Sequence, residues 1–378
     1  MSVSSPSQHE LRNASAVRDL LLLSVAGLGP MFDRGRGLFC HRLVEMGTGL
    51  VSEGLSPRYT AMTLLGLHRY EKTGGSSPFP VRDLTTELVR NPTWLEGVGD
   101  LGLLLWTCAE ITPELLEECV ARTNATVALE RSGDAKRGST MELAWFLTGV
   151  AKAVLAEPAR RRHWEPLARV CSELLKRNQG PSGFFGHLAT RATPSGWLRG
   201  RIGSFADQVY PILALTHFAE AFDVRPALAA ATACARAICE AQGTLGQWWW
   251  HYDARSGRVA QRYPVYSVHQ DGMAPMALFA LGRVAGLDFT EPAMKGLEWI
   301  GGRNELQLDM RDRVHPVIWR SIRFSSRILL LRQELRFWLD ARSDRSAPTG
   351  LTVLRECRPY HLGWLLYAFA TDPVGSRS

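Results

Sequence analysis

The densest group of reactive side chains in this 378-residue sequence is Tyr263-Pro264-Val265-Tyr266-Ser267-Val268-His269-Gln270-Asp271. His269 can exchange a proton near neutral pH. Tyr263 or Tyr266 can donate or accept one, and Asp271 can act as acid or base. A second carboxylate shares its context: Asp207-Gln-Val-Tyr-Pro211 and Asp271-Gly-Met-Ala-Pro275 both place proline four residues on. As a pair, one carboxyl would work protonated and the other ionised, with their surroundings separating the two pKa values. The same context fits helix capping, since aspartate ahead of a first-turn proline is an ordinary N-cap arrangement. His269 equally fits an imidazole satisfied by a backbone carbonyl.

Arginine supplies the complementary charge. Of 44 basic residues only five are lysine, and the net charge is +7. Guanidinium forks suit carboxylate or phosphate oxygens, and Arg58, Arg201 and Arg262 are the candidate clamps for an anionic small molecule or glycan. No nucleic-acid module or lysine-rich tract accompanies the charge, so nucleic acid is not the expected partner. Trp248-Trp249-Trp250 suggests a stacking platform, with Trp248 and Trp250 on one face of a strand. Such a face suits a sugar, or a carbocation through its π-density. Tyr59, Glu142, Gln208, Gln270 and His361 are further polar candidates for substrate contact. Gly97-Val-Gly-Asp100 is too short for a phosphate loop. The seven cysteines form no CxxC pair and no zinc-spaced set, so neither cofactor nor metal is expected. Unpatterned cysteines, no run of about 18 apolar residues and no cleavage pattern after Leu20–Gly27 together give a cytoplasmic expectation.

The elements that would position these groups repeat. Three modules open on aromatic segments, at Phe39, Phe185 and Trp249, each followed by a Gly-containing turn, a short segment and an apolar helix. In that register Tyr59, Phe205 and His269 are equivalent, as are Ala61, Asp207 and Asp271. The modules read as β-hairpins, clearest in Trp248–Asp253, the turn at 254–257 and the arm 258–266. Six helices, near 58–72, 99–110, 139–156, 205–222, 271–285 and 359–370, are apolar on nearly every face and are expected to be buried all round. Small residues (Gly66, Gly102, Ala144, Ala214, Ala277, Gly363) would let them pack closely. Amphipathic stretches near 81–90, 113–130, 163–178, 226–241, 291–303 and 325–341 read as outer helices. Alternation of inner and outer helices predicts an all-α fold, an (α/α)6 toroid with short β-hairpins on one rim. The expected organisation is one domain over 16–372, with tails at 1–15 and 373–378.

This pattern resembles the six-hairpin α/α toroid superfamily, which includes six-hairpin glycosidases, polysaccharide lyases and uronate epimerases. Two turns, Gln179-Gly-Pro-Ser-Gly183-Phe184 and Gln242-Gly-Thr-Leu-Gly246-Gln-Trp248, are also similar to the repeat of terpenoid cyclases. The Asp-x-Asp-Asp and Asp-Asp-x-x-Asp motifs of that second group are absent. The first resemblance implies a carbohydrate-active enzyme working on an acidic sugar by hydrolysis, elimination or epimerisation. In uronate lyases and epimerases a Tyr or His removes the proton beside a carboxylate that an Arg neutralises. The second implies a cyclase in which an Asp protonates an isoprenoid. A non-catalytic toroid that binds a glycan or a protein is the third expectation.

Overall fold

The computed structural model describes residues 8–47, 49–133, 139–188, 200–326, 328–329 and 349–370. The six expected inner helices are present as Pro57–Lys72, Val98–Ile111, Thr140–Ala156, Ala206–Phe222, Ala274–Ala285 and Pro359–Phe369. Small residues set their spacing. A Cβ on Gly66 would lie 2.0 Å from the Gly363 oxygen, and one on Gly149 would lie 2.1 Å from the Gly102 oxygen. At these crossings the helix backbones touch, and only glycine permits it.

Side chains at the helix starts join neighbours around the ring. Arg58 of the first helix holds Asp100 of the second, and Asp207 of the fourth accepts from the Met141 N–H of the third. His361 of the sixth meets Asp271 ahead of the fifth, and Arg358 beside the sixth returns to Tyr59 of the first. The opposite ends also meet, through Lys152 and Tyr367 on Glu110. The inner helices therefore run in one direction and close into a ring, an α/α toroid with the inner-helix N-termini at one mouth.

Outer helices Val81–Arg90, Arg161–Lys176, Arg225–Glu240 and Thr290–Ile300 lie where expected, and 113–130 divides into a short 3-10 turn, Leu116–Ala121 and Ala125–Gly133. Gln8–Leu28 is a helix that begins inside the expected tail and packs on the last inner helix. Its stretch Ala14–Met31 is long and apolar enough to cross a membrane, and 28% of that stretch is buried against the ring. The outer run expected at 325–341, the turn near 194–196 and the tail from 373 lie almost wholly outside the described residues.

Hairpins stand on the mouth. Leu38–Met46 pairs antiparallel with Gly49–Leu55 and with Glu356–Cys357. His251–Asp253 pairs with Val259–Gln261 and also with Ile202–Ser204 of the preceding module. Val265–Tyr266 joins Ser321–Phe324, which in turn joins Leu351–Leu354.

Glutamines lock the second and third modules to their helices and their turns to the ring. Gln208 accepts from the Phe185 N–H and donates to the Phe185 and Ser204 carbonyls. Gln270 repeats this with Trp248 and Tyr266, and Thr60 accepts from the Phe39 N–H in the first module. Gln179 and Gln242 each tie a Gly-turn to the next outer helix, through Ala230 and Pro292. These bonds correct the expected register. Phe39, Phe185 and Trp248 are the equivalent residues, which makes Asp207 the counterpart of His269 and sets Asp271 opposite Val209. The shared proline spacing therefore does not mark equivalent positions: Pro211 lies three residues after Gln208 and Pro275 five after Gln270, where His269–Met273 forms a π-turn at the helix start.

Candidate active site

One half of the mouth is built from Arg58, Asp100, Glu142, His187 and Asp207. Arg58 lies in the first turn of its helix and grips Asp100 through two bonds of 2.6 and 3.0 Å. That carboxylate also accepts from the Glu96 N–H. Arg58 is therefore committed to a buried partner, and its other face looks over the Trp145 ring at 5.8 Å. Glu142 stands beside it. Burial pushes the Glu142 carboxyl above its ordinary range, and the Arg58 charge opposes that shift only in part. Both side chains line a cavity of about 600 Å³ that continues between Leu95–Val98 and Thr123–Asn124. Asp207, fully buried, accepts from Ser204 N–H and hydroxyl, from the Met141 N–H, and meets His187 Nδ1 at 3.1 Å. It caps the neighbouring inner helix and orients a histidine, and is not itself presented to the cavity.

The other half gathers around the last inner helix. His361 Nε2 lies 2.8 and 2.9 Å from the two oxygens of Asp271, with both side chains buried. Burial pushes the Asp271 carboxyl up, and His361 counteracts that shift. A carboxylate behind an imidazole fixes its tautomer and stabilises its protonated form, which leaves Nδ1 to exchange a proton. Beside this dyad Arg358 donates to the Tyr59 hydroxyl at 2.7 Å. Tyr59 packs on Tyr360 at 4.6 Å and stacks on His41 at 5.3 Å. Burial pushes the Tyr360 phenol up to about 12, against the charges of Arg320 and Arg358. Tyr266 completes this wall, with Arg320 over its ring at 5.2 Å and Trp250 at 4.8 Å.

Several sequence candidates serve the frame instead. Trp248 is fully buried, so it is no platform, and Trp250 alone of the three is half-exposed. The residues precede the strand at His251–Asp253, so strand alternation does not apply to them. Gln208 and Gln270 spend their amides on backbone. Arg201 lies 3.4 Å from Asp253, which shapes the turn at 254–257. Tyr263 is buried and donates to Glu305 at 2.9 Å, and exposed Arg262 lies over the Trp249 ring at 5.3 Å.

His269 is also reassigned. It sits among Phe205, Tyr266 and Trp250, with Nδ1 buried and unpartnered. Burial lowers its pKa from 6.5 to about 3. It is therefore neutral at working pH and poorly suited to proton transfer. Replacing His269 with phenylalanine should leave turnover nearly unchanged. A depressed histidine contributes stability that is fully present above its unfolded pKa and lost as pH falls toward the folded value. The wild type should accordingly lose stability between pH 6.5 and 3, and the variant should lose less over that window. Urea midpoints at pH 7 and 4 test this; loss of turnover with an unchanged midpoint would return His269 to the chemistry.

The groups to which sequence reasoning assigned no individual role are His187, Arg320, Glu356, Arg358 and Tyr360. The one signal for them was proximity to inner-helix starts: Tyr360 adjoins His361, and His187 ends the aromatic segment of the second module.

No protein-family model matches this sequence, and no curated protein matches it in sequence. Solved structures do share its fold. A sugar epimerase from a ruminal bacterium superposes with a TM-score of 0.65 at 10% identity, covering 96% of this chain and 100% of its own. An unsaturated glucuronyl hydrolase specific for heparin gives 0.56 at 13% identity, over 94% of this chain and 95% of that one. A possible member of the GH105 family from Salmonella enterica serovar Paratyphi A gives 0.58 at 12% identity, over 98% and 95%. The chain has the six-hairpin α/α toroid fold of these sugar-processing enzymes.

Proposed function

We propose that this protein is a carbohydrate-active enzyme that works on an acidic sugar or glycan by acid/base chemistry in the mouth of the toroid. The observation that carries the reading is the His361–Asp271 dyad, one residue from Tyr360 and three from Arg358. A base, a phenol and a guanidinium on one helix start are the parts needed to remove a proton beside a carboxylate. Both sequence-predicted carboxylates are tied to histidines, which favours proton exchange at a ring carbon over a nucleophilic carboxylate pair.

Incubation with uronate-containing oligosaccharides in D₂O tests this. Epimerisation places solvent deuterium on the sugar without shortening the chain, and elimination yields an unsaturated, ultraviolet-absorbing product. Either outcome is expected. New reducing ends with neither deuterium on the sugar nor an unsaturated product would instead assign hydrolysis, with Glu142 as the acid. No change in any glycan would leave a binding protein.

A further inference from the structure

At the rim, one carboxylate serves three guanidiniums. Glu356, buried at the end of the strand beside the first hairpin, accepts from Arg358 Nε at 2.7 Å and from Arg320 Nη1, and from Arg42 Nη1 at 3.3 Å. Arg42 has a second partner in Glu53, at 2.7 Å. Three cations thus meet two carboxylates, and the group keeps one surplus positive charge. Arg320 Nε is buried with no hydrogen-bond partner, so the guanidinium meets Glu356 through Nη1. The side chains packed nearest are uncharged or already neutralised: Tyr59, Tyr360, Tyr266, His41 and the His361–Asp271 dyad. Their titration reflects the cluster. Burial first, and then the charges of Arg358 and Arg42, hold the His41 imidazole below its ordinary range.

We propose that Arg320 and Arg358, anchored by Glu356, form a carboxylate subsite that holds the acid group of a uronate unit and discriminates against phosphate esters. This rests on the reading that the mouth binds an acidic sugar, and it assigns the acid's place to residues other than Arg58, Arg201 and Arg262. The discrimination follows from charge. One carboxylate balances the surplus, and its planar oxygens match a guanidinium fork. A phosphate monoester brings about −1.5 to −2 charges at pH 7 and would overfill the site against Glu356. The carboxylate would lie beside Tyr59, on the segment that carries His361.

The test is binding of three monosaccharides to the full-length protein by calorimetry: D-glucuronate, its amide, and glucose 6-phosphate. Glucuronate should bind about tenfold or more tightly than either of the others, the scale of one charged hydrogen bond. Arg320→Gln should remove most of that preference. Glu356→Gln, which leaves two surplus charges, should improve glucose 6-phosphate relative to glucuronate. If that variant fails to fold, Arg42→Gln, on the exposed rim, should weaken both anions and leave the amide unchanged. Equal binding of glucuronate and its amide, equal or tighter binding of the phosphate by the wild type, binding of none of the three, or an unaltered preference in Arg320→Gln would overturn the proposal. The readout needs no turnover. A protein that shows the charge preference yet neither exchanges deuterium nor forms an unsaturated product would refute the acid/base reading while keeping this subsite, and the reverse result would do the opposite.

Discussion

Substituting His361 with glutamine should lower turnover by about 10²–10⁴-fold, the usual contribution of a positioned proton-transfer group. Glutamine is the informative replacement because its amide can still donate to Asp271, which is 0% exposed. Alanine would strand that carboxyl without a partner and confuse instability with lost chemistry. Asp271→Asn attacks the same step from behind. Its amide can donate to Nε2, which drives the imidazole proton onto Nδ1 and disables the base without moving the ring. Both variants should keep KM and melting temperature near wild type while kcat falls, and the limb of the pH–rate profile that belongs to the dyad should disappear. Lower stability with unchanged turnover per folded molecule would make the pair a structural device.

The ring itself was readable from the sequence because its cause is local. An inner helix must be apolar on every side, an outer helix on one, and small residues must stand where backbones cross. Those constraints are written along each segment, and Gly66, Gly102 and Gly363 meet them within single helices. The candidate site was legible only where it follows from helix starts, as Arg58, Tyr59, Glu142, Asp271 and His361 do. What escaped was pairing across the ring. Arg358 and Tyr59 are 299 residues apart, and His361 and Asp271 are 90 apart. Nothing in either neighbourhood names the other. Asp207 and Asp271 looked equivalent because each stands four residues before a proline, whereas the bonds made by Gln208 and Gln270 set Asp207 level with His269. The register emerges only from what Gln208 and Gln270 bond. His269 stood out because reactive residue types cluster around it, yet clustering in sequence does not reveal that Phe205 and Trp250 enclose it.

At the far end of the ring, truncating Glu110 to alanine should destabilise the protein by about 3–5 kcal/mol, as expected when a buried ion pair loses one member. One oxygen of Glu110 receives Lys152 at 2.9 Å, Tyr367 at 2.8 Å, Trp106 at 3.0 Å and Arg69 at 3.5 Å. Four inner helices meet on that atom. Burial alone would raise its pKa, but Lys152 and Arg69 outweigh burial and hold the carboxyl well below 4.5. A carboxyl depressed in this way contributes stability that is present above its unfolded pKa and lost as pH falls through the folded value. The wild type should therefore weaken steeply in acid below about pH 4.5, and the variant, already without the contribution, should weaken less. Alanine leaves Lys152 and Arg69 facing each other with no counter-charge, so adding Lys152→Met to Glu110→Ala should recover part of the loss. Denaturant midpoints for the two variants decide the matter. Wild-type stability in Glu110→Ala would mean that waters at this end already satisfy both cations. Turnover per folded molecule should be unaffected, because Glu110 lies at the C-terminal ends of the helices whose N-termini carry Arg58, His361 and Tyr360.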